Sequence, residues 1–219
     1  MLAMIGFGIS IAIFVANVQA FSFAPAVQPD VLERIVFASS FTDADARYLQ
    51  TSLSWLREYL PEWYAYVADA KPFIFALDEE LEWHGIVSYA ECCYDRAAGG
   101  ITFGEHLGEW TIGEVADIPG FQAQQIQFLS VLVHEVTHIR DVREGRISQP
   151  ANSRICIAAE QSAKTQELEF ARALTRVQIS GDANARANYR DIVDKHLDIT
   201  QENLDDISWK IVCVLMYDE

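Results

Sequence analysis

An apolar stretch in the middle of the chain contains the residues that most constrain its fold. No Pro or Gly interrupts the chain between about Gln122 and Glu144. Apolar side chains recur there at spacings of three and four residues: Ile126, Phe128, Leu129, Leu132, Val133, Val136 and Ile139. This periodicity predicts a mostly buried helix, which we call the motif helix. It contains the polar sequence His134-Glu135-Val136-Thr137-His138, which is costly to bury unless its members are paired or bind a metal.

The spacing of the two histidines suits a metal ion. Residues four apart lie on the same face of a helix, so His134 and His138 can offer both imidazoles to one cation. Glu135 lies about 100° round the helix, where a general base for an attacking water belongs. With five His in 219 residues, chance would give on the order of 0.01 such H-E-x-x-H matches. The alternative interpretation is two ordinary histidines that are hydrogen-bonded inside a helical core.

The segment VLVHEVTHI, residues 131–139, resembles the active-site helix of the zincin metallopeptidases. It departs from their pattern at Arg140, where a hydrophobic residue is common. The metzincin form of these enzymes is excluded, because Asp141 and Glu144 stand where that form has a Gly and a third His. The next helix contains the run 160–163, EQSA, which resembles the E-x-x-A signature of the gluzincins. Together the resemblance covers about residues 86–170.

The resemblance implies one Zn²⁺ ion held by His134, His138 and Glu160, with Glu135 as the catalytic base. Helix geometry leaves Glu167 as a rival ligand, since it lies seven residues after Glu160 on the same face. If the two helices run antiparallel, Glu160 is about level with His138, whereas Glu167 stands beyond His134. We therefore expect Glu160 to be the third ligand, and Glu167 to belong to a second layer around the site or to a surface pair.

Three further residues are candidates for supporting roles. Asp141 lies on the ligand face, where it would either orient an imidazole from the second shell or pair with an Arg such as Arg143 or Arg146. Tyr189 and His196 follow the third ligand in the chain, and only this position makes them candidates for stabilising an oxyanion.

The start of the chain predicts export. Residues 1–20 are apolar and end in Val18-Gln19-Ala20, which is typical of a signal peptide, although the segment could also remain as a membrane anchor. Residues 21–30 form a short linker, and residues 31–219 form one metallopeptidase-like domain. We expect a secreted or periplasmic protein with no stable membrane span in the mature chain.

The four cysteines fit an exported chain, in which an even number suggests disulfide bonds. Cys92 and Cys93 are adjacent and too close to bond each other easily. Either each pairs with Cys156 or Cys213, or one pair forms and two thiols stay free. The alternative is four small buried hydrophobic residues.

The predicted fold class is α+β and zincin-like: a small N-terminal mixed sheet, with a hairpin at residues 86–107, packed on a mainly helical half. Strands are expected in RIVFASS, KPFIFAL, GIVSYAECCYD and GITFGEHL. Helices are expected from Thr42 to before Pro61, over about 122–144, from about Ser153 to Ile179, and over about 185–199 and 201–216. The aromatic residues between 55 and 66 fit helical spacing and are expected to pack in the core.

The expected function is that of a zinc-dependent hydrolase, most simply a peptidase that acts on peptides or proteins. The formal net charge of -16 excludes a nucleic-acid partner, which would require a basic surface. Two alternatives stay open: a catalytically silent binding protein with the zincin fold, and a helical interaction protein without metal that uses the aromatic residues 55–66 as its partner surface.

Overall fold

The structure, a computed structural model, describes residues 36–37, 42–70, 74–77, 86–89, 100–103, 119–147 and 152–217. The predicted signal peptide, the linker, and Cys92 and Cys93 lie outside these residues. The described chain contains six helices: α1 (Asp43–Tyr59), α2 (Pro61–Ala68), α3 (Pro119–Arg143), α4 (Ser153–Leu174), α5 (Ala183–Asp205) and α6 (Ser208–Tyr217).

The helix boundaries follow from local chemistry. Pro61 opens α2, where its missing N–H costs nothing. The side chains of Asn152 and Asp182 accept hydrogen bonds from the first turns of α4 and α5, at 3.1 and 2.8 Å. Beyond the end of α3, Gly145 adopts a positive φ of 68°, a left-handed conformation that glycine adopts without strain. Each of these residues therefore helps to fix the end of a helix.

Four short strands accompany the helices: β1 (Val36–Phe37), β2 (Ile74–Leu77), β3 (Ile86–Tyr89) and β4 (Gly100–Phe103). They pair in the order β1-β2-β4-β3. β2 is parallel to both β1 and β4, with Ile74 opposite Val36 and Gly100. β3 and β4 are antiparallel, and Ile86 lies opposite Phe103.

The predicted α+β fold class is wrong, because the described body of the protein is built mainly of helices. The strands contain only two to four residues each, whereas the helices contain 8 to 25. A strand needs neighbours and a buried face to persist. Of the described strand side chains, Ile101 is in the core, while the other large buried side chains of the core come from helices. The expected N-terminal sheet thus does not define the fold.

The core lies between α1, α3 and α4. The stripe of Leu49, Leu53 and Leu56 on α1, continued by Leu60 just after it, is buried, as its four- and three-residue spacing predicts. Apolar residues on both sides of α3 are fully buried, so this helix passes through the interior. Trp63 on α2 stacks edge-on against Phe170 on α4, with the ring centroids 5.3 Å apart. Of the aromatics between residues 55 and 66, Trp55, Trp63, Tyr64 and Tyr66 pack against this core, which confirms their expected role.

The last three helices differ from the predicted spans. α4 ends at Leu174 rather than Ile179, and α5 continues to Asp205, past the expected break near residue 200. The break falls at Asp206 because its carboxylate accepts hydrogen bonds from the backbone N–H and the hydroxyl of Ser208. These contacts favour a new helix start at Ser208.

A disulfide joins Cys156 on α4 to Cys213 on α6, with their Cα atoms 5.7 Å apart. These two cysteines therefore bond each other and not Cys92 or Cys93. A disulfide is compatible with an exported protein. Among the described residues, no helix combines the length and the hydropathy that crossing a bilayer requires.

Candidate metal site

The two histidines of the motif helix face a glutamate from the following helix. Nε2 of His134 lies 3.4 Å from Oε2 of Glu160, and Nε2 of His138 lies 3.3 Å from Oε1 of the same residue. The two Nε2 atoms are 3.2 Å apart. His138 thus meets Glu160 while His134 also reaches Glu167 farther along α4, so α3 and α4 run antiparallel at this point.

These separations fit a tetrahedral metal ion. Zinc–ligand bonds of about 2.0–2.1 Å at tetrahedral angles place the ligand atoms about 3.3–3.4 Å from one another. The observed separations are 3.2 Å between the two Nε2 atoms, and 3.3 and 3.4 Å from these atoms to the two different oxygens of Glu160. Two imidazoles and one carboxylate are also a common set of protein ligands for a catalytic zinc. The group of His134, His138 and Glu160 could therefore hold a metal ion.

A second carboxylate orients the first histidine. Oε2 of Glu167 lies 3.2 Å from Nδ1 of His134, while Oε1 accepts a hydrogen bond from the Ser130 hydroxyl, also at 3.2 Å. Because a carboxylate can only accept, Nδ1 of His134 must donate to it. The Nε2 atom is then the one presented to Glu160 and His138. This is the arrangement of a carboxylate–histidine pair behind a metal ligand.

The acidic surroundings control the charge of His134. Burial would lower the pKa of His134, but hydrogen bonds to Glu160 and Glu167, aided by the charge of Glu135, raise it to about 10. Burial would likewise raise the pKa of Glu160, but its contacts with His134 and His138 hold it well below its usual range. His134 is therefore protonated at neutral pH, and its positive charge offsets the negative charge of these carboxylates. A bound metal ion would offset the same charge.

Glu135 is buried next to this group, with 8% of its surface exposed. The side chains of His134, His138 and Glu160 are 13%, 16% and 30% exposed, so the group opens to solvent on the Glu160 side. Glu160 is thus the most exposed of the three residues, while the Glu135 side chain is largely screened from water.

Asp141 does not contact an imidazole in any described interaction. Its buried carboxylate lies 2.9 Å from Nη2 of Arg146, and its backbone carbonyl accepts from the N–H groups of Arg146 and Ile147. Of the two alternatives from the sequence, the structure shows the ion pair. Asp141 therefore shapes the turn that follows α3.

The two oxyanion candidates, Tyr189 and His196, both lie on α5 but have different surroundings. Tyr189 is buried, and its hydroxyl donates its proton to the backbone carbonyl of Leu174 at 3.1 Å. His196 interacts electrostatically with Glu167, the carboxylate that faces His134. Burial lowers the pKa of His196, and the charge of Glu167 opposes that effect. Its buried Nε2 has no hydrogen-bond partner among the described residues.

Two contributing residues were not singled out from the sequence. Ser130 donates a hydrogen bond to Glu167. The sequence could have predicted that Ser130 faces the site, because residues 130, 134 and 138 share one face of the helix at four-residue spacing. Tyr66 on α2 contacts the neighbouring side of α3, where its hydroxyl lies 2.8 Å from Oγ1 of Thr137. No local pattern predicts that contact, since 71 residues separate the two side chains.

The chain has no match among models of known protein families, and comparisons with curated proteins and with solved structures find none either. The function must therefore be argued from the site itself.

Proposed function

We propose that this protein is a zinc-dependent hydrolase that cleaves peptide bonds, related in its site to the zincin metallopeptidases. The observation that carries the proposal is the cluster of His134, His138 and Glu160, in which the two Nε2 atoms lie 3.2 Å apart and each lies 3.3–3.4 Å from one oxygen of Glu160. Glu135 is next to the first histidine in the sequence. Three protein ligands and a face open to solvent are typical of catalytic zinc sites, whereas structural sites usually have four.

The donors favour zinc or another transition metal over calcium and magnesium, and zinc is the ion of the proposed reaction. Imidazole nitrogens suit zinc and other transition metals, whereas calcium and magnesium prefer sites made of oxygen. The carboxylates of Glu135, Glu160 and Glu167 surround two imidazoles, so this part of the interior is acidic. A divalent cation offsets that charge, which is otherwise costly to bury. When bound, zinc would supply a Lewis acid that polarises a substrate carbonyl and lowers the pKa of a water ligand.

The protein's own residues have three tasks in this scheme. Glu167 and Ser130 keep the Nδ1 proton of His134 in place, so that the Nε2 lone pair is available to the metal. The Glu135 carboxylate accepts one proton from water as the water oxygen bonds to the carbonyl carbon of the substrate. As the carbon–nitrogen bond breaks, Glu135 returns this proton to the leaving nitrogen, so the atoms and charges balance.

The test compares Glu135→Gln with the parent chain. Glutamine has nearly the same shape but cannot accept the proton, so turnover of a peptide library should fall by about 10² or more. Zinc content should stay near one ion per chain, because Glu135 is not among the three ligand residues. Glu169→Gln is the matched control, since Glu169 is exposed and pairs with Arg172 on the outer side of α4.

Three results would contradict parts of the proposal. Equal turnover in Glu135→Gln and the parent would remove Glu135 from the reaction. Bound zinc without cleavage of any library peptide would favour a silent binding protein. A parent chain that binds no zinc would favour the helical interaction protein.

A further inference from the structure

The C-terminal helix α6 presents an apolar face to solvent. Five aliphatic side chains in and next to it are 43% to 64% exposed: Ile207, Ile211, Val212, Val214 and Leu215. At 100° per residue they span an arc of roughly 160°, in which the only other residue is Ser208. A helix surface of this kind is normally buried against another element. We call these five residues the α6 face.

The opposite side of α6 is fixed to the protein. Cys213 is buried and bonded to Cys156 of α4. One turn earlier, Trp209 is partly buried, and its ring centroid lies 5.9 Å from Nζ of Lys164, also on α4. Because Trp209 and Cys213 share one side of the helix, α6 cannot rotate its apolar face inward without breaking the disulfide. The disulfide therefore keeps the α6 face turned away from α4.

The area of the α6 face suits the apolar part of an interface between two subunits. Five aliphatic side chains that are about half exposed present roughly 450 Å², within the range of the largest patch on a typical monomer, which is often functional. A standard interface buries about 800 Å² per partner, of which rather more than half is apolar. The α6 face thus supplies the apolar part of such an interface, and its polar rim would supply the rest.

The surrounding charges argue against a lipid surface as the occupant. Interfacial helices that bind membranes have Lys and Arg on their polar side. The residues leading into α6 include Glu202, Asp205 and Asp206, all exposed, and Lys210 is the only basic residue of the helix. With a net charge of -16, the protein is repelled by anionic lipids.

We propose that the α6 face binds the α6 face of a second copy of this chain, forming a two-fold symmetric dimer. Ile207, Ile211 and Leu215 recur every four residues and form one ridge, which can pack beside an identical ridge. In an antiparallel pair centred on Ile211, Ile207 of each copy meets Leu215 of the other. The acidic segments before the two helices then lie at opposite ends of the interface. This contact is self-complementary, as a two-fold dimer requires.

The test measures the mass of the full oxidised chain by sedimentation over a concentration range of about 1–200 µM. The parent should shift from monomer to dimer within this range. Added salt should strengthen the dimer, because it screens the repulsion between two chains that each carry a net charge of -16. Ile211→Asp should be monomeric throughout. Ala187→Asp is the matched control, because it adds the same charge at an exposed site on α5 and should dimerise like the parent.

Circular dichroism and zinc content show whether Ile211→Asp keeps its fold and site, since residue 211 lies outside the candidate metal site. A parent that is monomeric at all concentrations would overturn the proposal, as would a dimer that persists in Ile211→Asp. If the parent instead stays monomeric and binds phosphatidylcholine vesicles, and Ile211→Asp does not bind them, the occupant is a lipid surface and the dimer is rejected.

Discussion

The ranking of the two inward-facing glutamates is the sharpest test of the candidate metal site. Glu160 approaches the Nε2 atoms of both histidines, at 3.4 and 3.3 Å, whereas Glu167 approaches only Nδ1 of His134. In the proposed site, the first position is that of a ligand, and the second is that of a residue that orients a ligand. Replacing each glutamate by alanine should therefore lower zinc affinity by different amounts.

The magnitudes follow from these two roles. Structural zinc sites with four ligands bind with about 10–16 kcal/mol, so one ligand contributes about 2.5–4 kcal/mol. Loss of Glu160 should weaken zinc binding by about 10²- to 10³-fold. Loss of a residue that orients a ligand typically costs about 10- to 100-fold, so Glu167→Ala should have the smaller effect. Glu169→Ala, on the exposed side of α4, should leave the affinity unchanged.

Competition with a chelator of known zinc affinity, at fixed pH and ionic strength, gives the three affinities on one scale. The opposite order would transfer the ligand role to Glu167. Unchanged affinity in both variants would refute the gluzincin-like ligand set altogether. Thermal unfolding of each metal-free variant separates a loss of affinity from a loss of fold.

Two further outcomes are expected. The pKa of His134 is raised from 6.5 to about 10, so its charged form stabilises the metal-free protein fully below pH 6.5, and this stabilisation is lost as pH rises toward 10. The free energy of unfolding in urea should therefore fall by up to a few kcal/mol across this window. His134→Gln should lack that decrease, and an equal pH dependence in both proteins would contradict the assignment. Reducing the disulfide, which joins residues 57 apart, should lower the free energy of unfolding by about 4 kcal/mol in the chain-entropy model, measured by denaturant titration with and without reductant; unchanged stability would show that the link constrains the unfolded chain little.

The helical part of the fold could be predicted because its signals are local. The spacing of the apolar residues in α3, observed at Pro119–Arg143, places the helix within a few residues of its predicted span. Two histidines four residues apart then require a common face, and the short connection to α4 requires that Glu160 return to their level. Ordinary helix geometry therefore brings the three residues together without any knowledge of the sheet.

The parts that sequence reasoning missed or left open depend on how the chain turns and packs. Apolar runs such as KPFIFAL predict strands, but the length of a strand depends on what pairs with it, and β2 contains only Ile74–Leu77. The choice of Arg146 as the partner of Asp141 depends on the turn after α3, which brings the guanidinium back to the carboxylate. The Cys156–Cys213 bond depends on how α6 packs against α4, and no spacing rule specifies that packing.

The departure at Arg140 from the zincin pattern has a structural reason, and it bears on how the site is held. The guanidinium of Arg140 lies over the Tyr66 ring, 4.0 Å from its centroid, and donates to the Tyr66 backbone carbonyl at 3.1 Å. On the same side of α3, Thr137 meets the Tyr66 hydroxyl. A hydrophobic residue at 140 could fill this space but could not donate to the carbonyl.

These contacts fix α3 from a second side, next to the face that carries His134 and His138. α2 holds the helix through Tyr66, while α4 holds it through the carboxylates that face His134 and His138. A histidine that is fixed from both directions loses little conformational entropy when it binds a metal ion, because its rotamer is already selected. The separations of 3.2–3.4 Å between donor atoms therefore reflect the packing of three helices, and the ion would bind donors that the fold has already brought together.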